Sequence, residues 1–334
     1  MPATIPQQQL DEKALVYLLD EYPADGYGVH RGRVSSESLR QYRAEQARTM
    51  LSLPQDRVVF AWEGHQLAGA ASWSPLPWDS RHFGFCAARI DVLIAVGSYQ
   101  DRVERKRRLL DAVRQNCRRA GVAHLSARVQ APDLTSIHAL EHCGFELVDG
   151  IQTFTLPEEE FPDAVPESPA GVRIGEFERW QLNGVLEIAK SAYHFDRFHA
   201  DPALPDGAAD RLHEDWLRNS CTGQAADLVM VAAREEEVLS FVTVKYDSSV
   251  LARAGGRLAT IVLVATAANG RGKGIAKATT LATLARLRED RAAAVQVGTQ
   301  LSNIAAGRLY ESCGFRLAGS TFTFRTLLAE ERYR

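Results

Sequence analysis

The stretch Asn269-Gly270-Arg271-Gly272-Lys273-Gly274-Ile275-Ala276 decides the fold, read with what lies on either side of it. Before it, Thr260 to Thr266 (TIVLVAT) is an apolar run rich in β-branched residues, the pattern of a buried strand. After it, Ile275, Ala278, Leu281, Leu284, Ala285 and Leu287 recur at helical spacing. The unit is therefore strand, glycine-rich turn, helix. Glycines let the backbone approach a ligand closely. The first N–H groups of the helix and the positive end of its dipole point into the turn, so phosphate is the natural guest. Two familiar phosphate loops do not fit. A P-loop needs Ser or Thr directly after its lysine, and neither Lys273 nor Lys277 is placed that way in the P-loop frame. A dinucleotide fingerprint needs a third glycine where Lys277 or Ile275 stands.

Downstream of Gly274, with a strand expected between, Asn303 opens a second pattern, Asn303-Ile304-Ala305-Ala306-Gly307-Arg308-Leu309-Tyr310-Glu311-Ser312-Cys313-Gly314-Phe315. Asn303 suits a helix N-cap and Gly314 a left-handed C′ position, so a short helix is expected between them. The two stretches resemble the hallmarks of the GNAT superfamily of CoA-dependent N-acyltransferases: Gln/Arg-x-x-Gly-x-Gly/Ala, then Asn-x-x-Ala-x-x-Leu-Tyr-x-x-x-Gly-Phe. Asn269 stands where that family has Gln or Arg. The resemblance implies that the N–H groups of Arg271, Gly272, Lys273, Gly274, Ile275 and Ala276 hold the pyrophosphate of CoA. It implies that backbone near Val264 and Thr266, on a strand splayed from its neighbour, holds the pantetheine. Asn303 falls within the CoA-binding pattern. Tyr310 is expected beside the CoA sulfur as general acid.

The 334 residues carry a net charge of −3 and are 46% hydrophobic, ordinary values for a globular chain long enough for two domains. Near-neutral charge gives no reason to expect nucleic acid as a partner. Five cysteines, scattered and odd in number, suggest reduced thiols rather than a disulfide framework. No Cys/His ligand spacing is present, so no metal is expected. The opening MPATIPQQQLDEKALV lacks a basic segment followed by an apolar one, and no apolar run approaches membrane-spanning length. A cytoplasmic protein without membrane contact is expected.

Helical patterns are expected over residues 11–52, strands near 58–62, 67–73 and 89–95, a helix over 101–120, a strand over 122–129, a helix over 134–142 and a strand over 145–156. Pro157, Pro162, Pro166 and Pro169 then stand among acidic residues, the composition of a linker. After it the order of elements starts again. Registering Gly144-Phe145 on Gly314-Phe315 matches Gln130 with Gln300, Glu141 with Glu311, Cys143 with Cys313, Thr153 with Thr323 and Phe154 with Phe324. The expected architecture is α/β: two tandem GNAT-like αβ domains, each a mixed central sheet flanked by helices. Residues 1–156 form a degenerate first copy, 157–171 the linker and 172–334 the catalytic copy. In the first copy Leu140 replaces Tyr310, and the glycine loop falls on Gln100 to Glu104, without glycine and beside the basic run Arg102, Arg105, Lys106, Arg107, Arg108. That run reads as a solvated helix face or as a phosphate contact.

A narrower resemblance concerns the acceptor. Asp196-Arg197-Phe198-His199-Ala200-Asp201-Pro202 with Trp216 and Asn219, Trp78-Asp79-Ser80-Arg81-His82-Phe83-Gly84, and Thr299-Gln300 resemble segments of dTDP-fucosamine acetyltransferases. Asp196 stands where that family has Ser, and His82 where it has Phe. The resemblance implies acetyl-CoA or another short acyl-CoA as donor and the amine of a dTDP-linked amino-deoxy sugar as acceptor. Attack is direct, in a ternary complex. Arg197 suits a phosphate bidentately, and Trp78 or Phe198 suits the base or sugar ring. Asp201 completes the acceptor set, each residue having an ordinary packing role as its alternative. His194, His199, Asp196, Asp201 and Asp247 are all open as the general base. Another small amine as acceptor, or CoA binding without catalysis, also stays open, as do monomer and homodimer.

Overall fold

The computed structural model describes residues 10–22, 35–162, 167–193, 195–247 and 256–328. The chain divides into two compact units. Among the described residues no helix is long and apolar enough to cross a membrane.

The first unit spans the described residues up to Val148 and takes in Thr321 to Leu328. It contains α1 (Glu12–Glu21), α2 (Ser36–Ser52), β1 (Val58–Glu63), β2 (Gln66–Pro75), α3 (Pro77–Phe83), β3 (Ala87–Ala95), α4 (Tyr99–Arg119), β4 (His124–Gln130) and α5 (Leu134–His142). Its sheet runs β1-β2-β3-β4 and is completed by Thr321 to Leu327, which pair antiparallel with β4. The β1–β2 hairpin closes through Gly64-His65, where Gly64 has φ +59°, the left-handed conformation a two-residue turn requires. Leu109, Leu110, Val113, Leu125, Leu140 and Phe324 form the core on the α4–α5 face.

The second unit spans Asp149 to Ser320. It contains most of β5 (Glu146–Pro157), then β6 (Arg173–Glu176), α6 (Leu182–Ala192), α7 (Arg197–Ala200), α8 (Ala208–Cys221), β7 (Leu228–Arg234), β8 (Glu237–Tyr246), β9 (Arg257–Thr266), α9 (Ile275–Glu289), β10 (Ala292–Gln300) and α10 (Ile304–Ser312). The last strand, β11 (Arg316–Leu327), leaves this unit after Ser320. The sheet order is β5-β10-β9-β8-β7-β6, with β9 and β10 parallel and the other neighbours antiparallel. Both faces are covered. The α9 and α10 side chains pack on one face through Leu281, Leu284, Leu287 and Tyr310, and α6 and α8 pack on the other through Val185, Ile188, Ala189 and Leu217.

The repeat is visible element by element. In the register that sets Gly144 on Gly314, α5 falls on α10 and β5 on β11, with the same limits. The expected halves 1–156 and 172–334 nevertheless differ from the folded units. Each copy's last strand is counted with the other unit: Asp149 to Pro157 pairs with β10, and Thr321 to Leu327 pairs with β4. The proline-rich segment of 157–171 thus follows a strand that already belongs to the second unit.

The first unit shows why its phosphate loop is gone. Where the second copy has its glycine turn, α4 has already begun, capped by Ser98 and Asp101 in a reciprocal capping box. Lys106 is 0% exposed. Its ammonium donates to Asp133 Oδ1 (3.0 Å), Thr135 Oγ1 (2.8 Å), Ser136 Oγ (2.7 Å) and Tyr22 Oη (3.2 Å). In the same repeat register Lys106 corresponds to Ala276 and Asp133 to Asn303. A buried ion pair thus stands at the positions that Ala276 and Asn303 hold in the second copy. The basic run is not one surface: Lys106 points inward, Arg105 reaches Glu63 and the Val96 carbonyl, and Arg107 and Arg108 pair with Glu104.

Candidate active site

The site begins where two strands part. β9 and β10 pair in parallel up to Ile261↔Val297. Beyond that point β10 stays with β5, through Gly298↔Thr153, Thr299↔Gln152 and Gln300↔Ile151. The other side of β9 stays with β8, through Val242↔Val264 and Ser240↔Thr266. Val262 to Thr266 is thus left with one edge unpaired by any strand among the described residues. Buried backbone N–H and C=O groups need partners, so an extended chain with amide groups suits that edge. An irregularity at Thr243/Val244 helps to open the gap: it shifts the register of β8 on β9, and Thr243 Oγ1 accepts the Leu263 N–H at 3.0 Å.

The glycine turn lies at the end of β9. Gly270 is buried, and a Cβ there would stand 3.1 Å from Thr266 Cγ2 and 3.4 Å from the Leu239 carbonyl oxygen. Gly272 and Gly274 have φ of +72° and +75°, and a Cβ on either would meet nothing within 4 Å. These two glycines answer to backbone conformation and leave open space above the turn. Gly274 is the N-cap of α9 and contributes no side-chain cap bond, so the first N–H groups of the helix have no side-chain partner from that position. Arg271, Lys273 and Lys277 are exposed around the turn. Asn269 is turned away and donates to Glu237 Oε1 at 2.6 Å. The turn fits an anionic pyrophosphate on dipole, donors and charge.

Tyr310 lies on α10, 4% exposed, with its ring 5.9 Å from those of Phe154 and Phe315. Burial, with Cys313 nearby, pushes its phenol well above the ordinary tyrosine range, so it keeps its proton at any physiological pH. Asn303 caps α10, its Oδ1 accepting from Ala306 N at 3.2 Å. Its side chain is therefore spent on the helix that carries Tyr310.

On the opposite face of β9, the loop after α6 holds a second cluster. Asp196 caps α7: Oδ1 accepts from Phe198 N (2.8 Å) and His199 N (3.2 Å), and Oδ2 accepts from His199 Nδ1 (2.6 Å). His199 Nε2 donates to Asp210 Oδ1 at 3.1 Å. Both ring nitrogens face carboxylates, an arrangement that favours the imidazolium. Burial opposes that charge, but the bonds to Asp210 and Asp196 outweigh it and raise the pKa. His213 on α8 is 3% exposed, and its Nδ1–H donates to the Ala209 carbonyl at 2.8 Å. Its Nε2 lies 3.7 Å from Asp196 Oδ2. Burial lowers its pKa, so this histidine is neutral. Tyr193 stacks on His213 with ring centroids 4.5 Å apart. Donor atoms of Asp196, His199 and His213 lie within 4.8 Å of one another.

The structure brings Val264, Thr266, the turn 271–276, Asn303 and Tyr310 together in the second unit. Phe198 is buried against His213 at 5.9 Å, and the Arg197 guanidinium lies 4.1 Å from the Phe198 ring centre. Asp201 is 5% exposed and accepts from Ala203 N at 3.0 Å, which makes it a turn-former. Trp78 belongs to the first unit, on α3, where Arg81 and His82 cover its ring. Of the five candidate bases, Asp196 and His199 meet in the cluster. Asp247 N–H bonds Leu258 at the opposite end of the β8–β9 pair from Thr266, and His194 lies outside the described residues. Sequence reading missed Tyr193 and His213. The one signal was a histidine on the apolar stripe of α8, between Ala209, Leu212 and Leu217.

Splayed strands, a glycine turn at a helix start and a buried tyrosine on the following helix are matched by comparison. A model described as "Acetyltransferase (GNAT) family" matches residues 183–315. Over those residues the chain is similar to the GNAT acetyltransferases. It is accordingly a CoA-dependent acyltransferase, and its reaction needs an acyl-CoA and an amine. The chain is 23% identical over 293 residues to the spore coat polysaccharide biosynthesis protein SpsD of Bacillus subtilis, covering 87% of this chain and 94% of that one. It is 26% identical over 261 residues to a dTDP-fucosamine acetyltransferase of Escherichia coli O6:H1, covering 75% and 96%. Among solved structures, a GCN5-related N-acetyltransferase from Sphaerobacter thermophilus matches with TM-score 0.61 at 14% identity, covering 99% of both chains. A tandem GNAT protein from the clavulanic acid biosynthesis pathway matches at 0.59 and 14%, covering 97% and 98%. These two likenesses show the fold, a tandem GNAT α/β architecture.

Proposed function

We propose that this GNAT enzyme moves an acetyl or other short acyl group from acyl-CoA to the amine of a dTDP-linked amino-deoxy sugar. The observation that carries the transfer chemistry is the parting of β9 from β10 beyond Ile261↔Val297, with the glycine turn at its end and Tyr310 beside it. The pantetheine amides lie along the free edge near Val264 and Thr266. The pyrophosphate takes the N–H groups from Arg271 to Ala276, with Arg271 and Lys273 adding charge. Asn303 fixes the start of α10 and so the place of Tyr310.

A neutral amine attacks the thioester carbonyl, the C–N bond forms and the C–S bond breaks. The departing alkyl thiolate has a pKa of about 8.5 in water. Tyr310 gives it a proton. The burial that raises the phenol also raises the proton affinity of a thiolate beside it, so the transfer stays matched. The sugar acceptor is supported by the likeness to a dTDP-fucosamine acetyltransferase and to a spore coat polysaccharide biosynthesis protein. Arg197, half-buried at the start of α7, suits the acceptor's diphosphate. Phe198 and Asp201 shape the loop that presents it.

The test is thiol release from acetyl-CoA across a panel of dTDP-amino sugars, with free amino sugars and simple amines beside them. Turnover on one dTDP-amino sugar, at a kcat/KM at least tenfold above that on the free sugar, is the expected result. Equal turnover with and without the nucleotide removes dTDP from the proposal.

A further inference from the structure

Two phenols from opposite faces of one sheet sense each other here. Tyr310 packs with Val264 and Ile261 on the α9–α10 face. Tyr193 packs with Leu263 and Ala265 on the α6–α8 face. Tyr310 and Asp196 nonetheless both lie within electrostatic reach of the Tyr193 hydroxyl. Beyond Ile261↔Val297, β9 and β10 leave a gap in the sheet between these faces.

On the α8 side of that gap three atoms are in unusual states. The Tyr193 hydroxyl is buried and has no hydrogen-bond partner among the described residues. A buried orphan hydroxyl is costly, which points to a partner that arrives with substrate. His213 Nε2 carries a lone pair, because the Ala209 carbonyl fixes the proton on Nδ1. Among the described residues that nitrogen has no hydrogen bond, and the Asp196 carboxylate is 3.7 Å from it. Asp196 Oδ2, 3.7 Å away, stands ready as counter-ion to a protonated ring.

We propose that His213 is the general base of the acyl transfer, with Asp196 as its counter-ion and the Tyr193 hydroxyl as the acceptor that holds the amine. This rests on the amine-acylation reading above. The amine nitrogen forms its bond to the carbonyl carbon and the C–S bond breaks. The nitrogen's proton passes to His213 Nε2, directly or through one water. Tyr310 protonates the thiolate, and solvent returns the proton from His213 to the Tyr310 phenolate after product leaves. The titratable groups that face His213 are Asp196 and His199 on the α7 segment, Asp210 on α8, and Tyr193 after α6.

The experiment is the pH dependence of kcat/KM for wild type, His213→Asn, Asp196→Asn and Tyr193→Phe, with acetyl-CoA affinity measured by equilibrium titration. Asn keeps a donor near the Nδ1 position, for the Ala209 carbonyl, and removes Nε2. His213→Asn is expected to lower kcat/KM at pH 7 on the order of 10²–10³-fold and to abolish the acid limb. The deficit shrinks at pH 9, where hydroxide takes the nitrogen's proton unaided, and CoA affinity stays within about threefold. Asp196→Asn removes the group that favours the protonated ring, so the acid limb moves to lower pH. Tyr193→Phe raises the acceptor KM more than it lowers kcat. A His213→Asn enzyme within threefold of wild type, with its acid limb intact, overturns the proposal while leaving amine acylation in place. So does a stoichiometric metal ion that leaves on His213→Asn. If His213→Asn fails to bind CoA, an unmoved limb in Asp196→Asn overturns it instead. No thiol release by wild type on any amine overturns the acylation reading and this base together.

Discussion

Tyr310 is a single side chain whose role depends on being neutral, buried and close to the splayed strand at once. A phenol held above its ordinary pKa by burial has a proton to give and little tendency to lose it to solvent. Tyr310→Phe removes that proton and almost nothing else, because the ring packing against Phe154 and Phe315 survives. A fall in kcat on the order of 10²-fold is expected, with KM for acetyl-CoA changed less than about threefold. Steady-state kinetics with a thiol reagent checks this; an unchanged kcat removes Tyr310 from the chemistry. Tyr310 was legible in the sequence because the helix that carries it has a cap, a glycine stop and a fixed spacing. His213 and Tyr193 were not. The Ala209 carbonyl that fixes the His213 tautomer is one turn back on the same helix, but Asp196 and Tyr193 meet the ring only when the loop after α6 folds back. Asp201, placed with the acceptor by resemblance, also accepts from Ala203 N in its own turn.

At the scale of elements, the strand–turn–helix units were readable and their degeneracy was not. The glycine turn and α9 follow from local rules: positive φ at Gly272 and Gly274, then a helix whose first N–H groups lack a side-chain cap. In the other copy the basic run offered two readings, and the structure gives neither for Lys106. Burial pulls its ammonium down to about 8, against the attraction of Asp133. Burial likewise pushes the Asp133 carboxyl up, and Lys106 with the neighbouring hydroxyls outweighs it and holds the group ionised. Such a pair is costly to break from one side, since the remaining charge stays buried. Lys106→Met is expected to destabilise the first unit by about 3–5 kcal/mol, while Lys106→Met with Asp133→Leu recovers most of that loss. Urea denaturation of wild type, single and double variants measures it. A single variant as stable as wild type contradicts the reading of this pair as the plug that replaced a ligand site.

At the scale of the whole molecule the sequence showed a repeat that sets Gly144-Phe145 on Gly314-Phe315, and the element limits of α5 and α10, and of β5 and β11, agree with it. What it did not show is which strands each unit keeps. Strand pairing is long-range, and β5 and β11 have nearly the same pattern, so nothing local says whether a copy pairs with its own last strand. The consequence is a difference between two ways of cutting the chain. A fragment 149–320 contains every strand of the second unit, including the stretch of β5 that covers β10 through Ile151 to Pro157. A fragment 172–334, cut at the linker that composition suggests, lacks that stretch, leaves β10 as an open edge and carries a β11 whose partner β4 is absent. Exposed apolar edges invite aggregation. The first fragment is therefore expected to melt cooperatively and to gain thermal stability from acetyl-CoA by mass action, about 2.7 kcal/mol at a hundredfold excess over Kd. The second is expected to be insoluble or to show no ligand-dependent transition. Differential scanning fluorimetry on both fragments decides it: a cooperative, CoA-stabilised transition for 172–334, equal to that of 149–320, would mean that the second copy folds without the strand it takes from the first.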